Sequence, residues 1–148
     1  MKKERITSID ILRALALFMI CFYHWFSYMG TYIGVVIFFA LSGYLVTSGL
    51  LQKDFSVWKF IKRRMEKIYP SLIVVITVSS VIVFFINGGL EWKYKMSAFA
   101  SIAGLNNIYQ IVSKMSYFDN FGMIMPLTHV WALSFQLQMY ILFPFILK

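Results

Sequence analysis

Asp10, Arg13 and His24 interrupt an otherwise apolar run near the start of the chain. At about 100° per residue, the steps from Arg13 to His24 return to nearly the same helix face, roughly 16 Å further along the axis. Asp10 lies one turn before Arg13, close enough to pair with it. An imidazole titrates near neutrality, so a positioned His24 can take the proton of a hydroxyl and act as a general base. Ionisable groups at membrane depth cost roughly several kcal/mol and face a bundle interior or a wet cavity, which makes this stripe a candidate site. A second reading of His24 stays open, in which it only hydrogen-bonds a neighbouring helix. Cys21, one turn before His24, reads as a buried, inert thiol, because no cation besides His24 stands near enough to depress its pKa.

A second group of charges lies at 52–67. Val57, Trp58, Ile61, Met65 and Ile68 recur at three- and four-residue spacings, while Lys59, Lys62 and Arg63 lie largely on the other side. That pattern describes a basic amphipathic helix at a membrane surface. Arg64 breaks it by pointing with the apolar face. A guanidinium there either binds an anion or snorkels to phospholipid phosphate, and the spacing supports both readings.

These residues must be positioned by helices in a membrane. Of the 148 residues, 60% are hydrophobic and 14% charged, with a mean hydropathy of +0.74. A soluble domain carries about a quarter charged residues, and a chain this short cannot bury so much apolar surface. A disordered chain, a disulfide scaffold and a soluble enzyme are all excluded. Apolar stretches at 11–28, 33–51, 68–86 and 130–147 approach the roughly 20 residues that cross a bilayer as a helix. The stretch 96–112 is helical in character, but Ser97, Ser101, Gly104, Asn106, Asn107 and Gln110 make it too polar to face lipid. It reads as a re-entrant or interface-lying helix, shielded by protein. The fold class is therefore all-α, a polytopic membrane bundle of about four transmembrane helices with one cytoplasmic interfacial helix and one re-entrant helix, in a single domain.

The net charge of +8 belongs to topology rather than to nucleic acid. Lys2, Lys3 and Arg5 precede the first span, and a basic cluster follows the second. Short basic loops mark the cytoplasmic side, so the N-terminus and 52–67 are expected inside and 87–95 outside, in a multi-pass protein of the cytoplasmic membrane. The lone Cys21 excludes an internal disulfide. The first run holds Arg13 and His24 and lacks a small-x-small cleavage site, unlike a signal peptide.

Four stretches together resemble the membrane acyltransferase 3 family, bacterial O-acyltransferases that modify peptidoglycan and surface polysaccharides. The run from Ile9 to Ala16, IDILRALA, followed by Phe22-Tyr23-His24, resembles the family's opening LDGLRAIA and its later His. Gly34 to Leu45, GVVIFFALSGYL, resembles GVDIFFVLSGFL. Phe60 to Pro70, FIKRRMEKIYP, is similar to the family's basic segment, and His129 to Tyr140, HVWALSFQLQMY, is similar to HTWSLSVEEQFY. The resemblance implies acyl transfer, most often of acetyl, from a cytoplasmic acyl-coenzyme A to a glycan hydroxyl. No resident cofactor or metal is implied, since acyl-coenzyme A is the donor substrate. His24 would be the base, with Arg13 and Asp10 orienting the site. Arg64, Lys67 and Arg63 would meet the donor's phosphates, and His129 and Trp131 would line the acceptor side. Small residues at Gly30, Gly34, Ser42 and Gly43 would allow close helix packing. Val36, Lys67, Gln136 and Leu137 depart from the family pattern, which has Asp, Arg and an acidic pair there.

Family domains have about ten spans, so this chain resembles an N-terminal portion and is expected to be truncated. Two other readings follow: an inactive membrane protein that serves as a helical partner or self-associates, and a channel or transporter subunit. Expected partners are membrane lipid, the acyl donor, the glycan acceptor and a complementary membrane fragment, with no nucleic acid.

Overall fold

The computed structural model describes residues 7–26, 32–51, 55–113 and 126–146. Among them it contains six helices and no strand. The chain divides into two compact units, residues 1–55 and 56–148.

The first unit is a pair of helices, α1 (Thr7–Phe26) and α2 (Ile33–Leu50). Both are long and apolar enough to cross a membrane. A Cβ built on Gly34 of α2 would lie 2.7 Å from the Ala16 carbonyl oxygen and 2.9 Å from Met19 Cβ. Only a residue without a side chain lets the backbones approach this closely, as small residues do between membrane helices. One turn later on α2, Phe38 meets Arg13, further back along α1, so the two helices run antiparallel. Ala16 and Val46 are buried, whereas Ile11, Leu15 and Phe18 of α1 stand exposed. Gly30 lies outside the described residues.

The second unit comprises α3 (Val57–Asn87), α4 (Trp92–Ile102), α5 (Asn106–Val112) and α6 (Val130–Ile146). The interfacial helix expected at 52–67 and the span expected at 68–86 form one continuous helix of 31 residues. Ser56 caps it, its side chain accepting from the Lys59 amide, and Gly88 ends it at a φ of 69°. Pro70 lies inside α3, where its ring removes one backbone donor without ending the helix. A 3.9 Å ion pair from Lys62 to Glu66 spans the turn before it. At about 1.5 Å per residue this helix is some 46 Å long, enough for a bilayer crossing and an extension beyond it. Helix α6 has 17 residues, apolar but shorter than the three helices of spanning length.

The polar stretch 96–112 becomes a helical hairpin. Gly104 stands at a φ of 69°, its amide donates to Ser101 O, and the Leu105 amide donates to Ala100 O. These two bonds form a Schellman turn, whose left-handed position favours glycine. Tyr94 at the start of α4 reaches Ser79 of α3, and Tyr69 donates to the Ile102 carbonyl at its end. Helix α4 thus runs back along α3. Tyr109 of α5 then donates to the Lys93 carbonyl, returning the chain toward its starting level. The core under this hairpin joins Leu72, Ile76 and Val83 with Tyr94 and Leu127.

Candidate functional site

In the first unit, Asp10, Arg13 and His24 all lie on the unbroken helix α1, so the register expected for one stripe is present. Asp10 and Arg13 are half-buried and His24 is exposed. The Arg13 guanidinium carbon lies 5.4 Å from the centre of the Phe38 ring, a cation–π distance that shelters the charge. Its Nε is buried and makes no hydrogen bond. The imidazole of His24 stands edge-on to Tyr23, ring centres 5.3 Å apart. Cys21 is an exposed thiol rather than the buried one expected, because it faces away from α2 on the outer side of the pair.

In the second unit, Arg63, Arg64 and Lys67 all lie on α3 within about 100° of arc. Their surroundings differ. Arg63 and Lys67 are exposed, whereas Arg64 is half-buried. The Arg64 guanidinium carbon sits 5.2 Å from the Phe60 ring centre and 4.9 Å from that of Tyr140 on α6. The two rings meet nearly perpendicularly at 5.9 Å. Gln136, one turn earlier on α6, donates from Nε2 to the Tyr140 hydroxyl at 2.6 Å. Ring contacts of this kind hold a guanidinium without using up its N–H donors, which stay available for an anion. His129 is exposed in the turn before α6, and Trp131 is half-buried in its first turn.

A neutral polar cluster at the hairpin turn lay beyond the sequence argument. Asn106 is completely buried. Its Nδ2 donates to Ser97 O at 3.1 Å, Ser97 Oγ at 2.9 Å and Ser101 Oγ at 2.7 Å. Its backbone amide donates to Ser134 Oγ of α6 at 3.2 Å, and its Oδ1 accepts from Gln110. Gln110 also donates to Thr128 O. Asn107 and Gln138 exchange two side-chain bonds, and Gln138 further donates to Gly104 O. The cue was present as Ser97 and Ser101 one turn apart with Ser134 on a later apolar helix, but their convergence requires the turn at Gly104.

Residues 6–148 match the acyltransferase 3 family, described as an acyltransferase domain. The chain is 36% identical over 149 residues to the peptidoglycan O-acetyltransferase OatA of Listeria monocytogenes, covering 96% of this chain and 24% of that protein. It is 34% identical over 149 residues to the O-acetyltransferase OatA of Staphylococcus aureus strain NCTC 8325, covering 95% of this chain and 24% of that one. The chain therefore spans about a quarter of the length of these curated relatives. No solved structure matches it significantly.

Proposed function

The chain belongs to the acyltransferase 3 family, and from that premise we propose that it takes part in moving an acetyl group from acetyl-coenzyme A to a hydroxyl of a cell-surface glycan. The observation that carries the reading is the match of residues 6–148 to the family together with relatives named as O-acetyltransferases. Peptidoglycan is the first acceptor to test, since the Listeria relative bears that name.

In this reading His24 removes the proton of the acceptor hydroxyl as the oxygen attacks the thioester carbonyl. The C–S bond breaks, the coenzyme A thiolate leaves with the proton returned from the imidazolium, and an O-acetyl ester remains. Arg13 and Asp10 orient the stripe. Arg64 binds donor phosphate, with Arg63 and Lys67 adding positive potential. His129 and Trp131 lie toward the acceptor. The protein resides in the cytoplasmic membrane with its N-terminus and the basic part of α3 inside and 87–95 outside, supported by the clustering of lysine and arginine.

The test is transfer of labelled acetyl from acetyl-coenzyme A to peptidoglycan fragments by membranes containing the protein, with a second surface polysaccharide as comparison. Ester-linked label on the glycan, released by mild base, is expected. Label that never leaves the thioester in the presence of either acceptor overturns the reading.

A further inference from the structure

The second unit holds an arginine in a built aromatic cradle, and the residues that build it come from two helices far apart in sequence. Arg64 lies over Tyr140 at 4.9 Å and over Phe60 at 5.2 Å. Phe60 is one turn before Arg64 on α3, so that contact forms wherever the helix forms. Tyr140 arrives from α6, is buried, and is held at its hydroxyl by Gln136 Nε2 at 2.6 Å. Gln136 is buried as well. Because the amide donates, the phenol oxygen serves as acceptor in this bond, and a neutral glutamine places no counter-charge beside the guanidinium. The cradle restrains the arginine without neutralising it. A surface arginine, by contrast, spends rotamer entropy each time it binds.

We propose that Tyr140, fixed by Gln136, is a positioning residue that pre-orients Arg64 to bind the phosphate groups of the acyl donor. The proposal rests on the reading of Arg64 as a donor-binding residue. Tyr140 acts through Arg64 and touches neither the acyl group nor the acceptor. Its contribution is to hold the guanidinium between two rings that meet nearly at right angles, which narrows the directions its N–H donors can take. Lysine cannot replace arginine in such a cradle, because an ammonium has no planar edge to aim.

Coenzyme A is the probe, titrated against the protein in nanodiscs of neutral lipid, with donor KM and kcat read in the transfer assay. Arg64→Gln is expected to weaken coenzyme A binding by about tenfold or more, as loss of a charge-assisted contact does. Tyr140→Leu is expected to raise Kd and donor KM by about tenfold while kcat changes little, the size of a sheltered cation–π contact. Tyr140→Trp keeps a ring under the guanidinium and is expected to restore binding to within about threefold. Tyr140→Phe keeps the ring and loses the Gln136 bond, and is expected between the two. A residue that merely packs α6 against α3 would lower the melting temperature with Kd unchanged. Wild-type binding in Tyr140→Leu beside weakened binding in Arg64→Gln overturns the proposal and leaves the donor-site reading intact. Wild-type binding in Arg64→Gln overturns both. If Tyr140→Leu does not fold, the aromatic pair decides: equal loss of coenzyme A binding in Tyr140→Trp and Tyr140→Phe, both inserted and monodisperse, overturns the proposal.

Discussion

An imidazole on an exposed face of α1 and a fully buried carboxamide at the hairpin turn make opposite demands on their surroundings. As the proposed base, His24 would have to exchange protons, so its replacement is expected to cost chemistry and leave folding nearly intact. His24→Ala should lower acetyl transfer by about 10²–10⁴-fold, the usual contribution of a general base, with unchanged membrane insertion. Transfer near the wild-type rate, measured on equal amounts of inserted protein, would make His24 a packing residue. Asn106 is bound to Ser97, Ser101, Gln110 and Ser134 at once. Removing its carboxamide takes a donor from the buried Ser97 and Ser101 hydroxyls and an acceptor from Gln110, at about 1–3 kcal/mol for a buried partner left unsatisfied. Ser101 still donates to Ser97 O and Gln110 to Thr128 O. Asn106→Leu is therefore expected to lower the thermal midpoint in nanodiscs by several degrees or more, whereas Asn107→Leu, on a half-buried site, should cost less. Equal melting of the two variants would refute the assignment of Asn106 as the central member.

At the level of elements, the apolar runs were legible because length and hydropathy alone specify a spanning helix, and α1, α2 and α3 follow from them. What periodicity could not show is where one helix stops. Residues 57–67 and 68–87 differ in charge but not in helical tendency, and α3 runs on through Pro70. The polar stretch 96–112 posed the reverse difficulty. Its serines and amides pair with one another across a turn and with α6, so their burial depends on long-range contacts that a local window does not contain. The charged stripe of α1 was visible, since only helical geometry is needed to align it. The cradle around Arg64 was not, because Phe60 and Tyr140 are eighty residues apart. Gly34 joins the two levels. A side chain there meets the Ala16 carbonyl at 2.7 Å, a backbone atom that cannot swing aside. Gly34→Ala is expected to push α1 from α2 and cost about 1–3 kcal/mol, read as a lower melting midpoint, while Gly89→Ala, with open space around it, should cost little. Topology belongs to this scale too. With Cys21 replaced by serine, Lys62→Cys should react with an impermeant thiol reagent only from the cytoplasmic side and Gly89→Cys only from outside. The opposite pattern would invert the bundle.

For the molecule as a whole, the outer surface states what must cover it. Trp25, Phe85 and Leu51 are among the most exposed apolar residues, at 84%, 79% and 79%, and a bilayer satisfies all of them without a protein partner. Hydrocarbon suits an imidazole less well than it suits these side chains, and His24 is exposed on the same helix as Trp25. Leaving such a group against hydrocarbon costs roughly a few kcal/mol, while a second helix placed over it offers polar partners and excludes lipid. The α1 face bearing His24 is therefore expected to favour a polypeptide surface over lipid, and self-association of two copies is the form of that contact that a cross-link can read. Cys21, exposed and one turn before His24, reports the contact without any engineered residue. Oxidative cross-linking in lipid vesicles should yield a disulfide-linked dimer through Cys21, at a level insensitive to dilution of the vesicles but falling as the lipid-to-protein ratio rises. His24→Leu removes the polar group and with it the reason to associate, so the dimer fraction should drop several-fold while Arg63→Leu leaves it unchanged. Cross-linking that is absent from the unaltered protein, or that persists undiminished in His24→Leu, would mean that lipid alone suffices to cover α1.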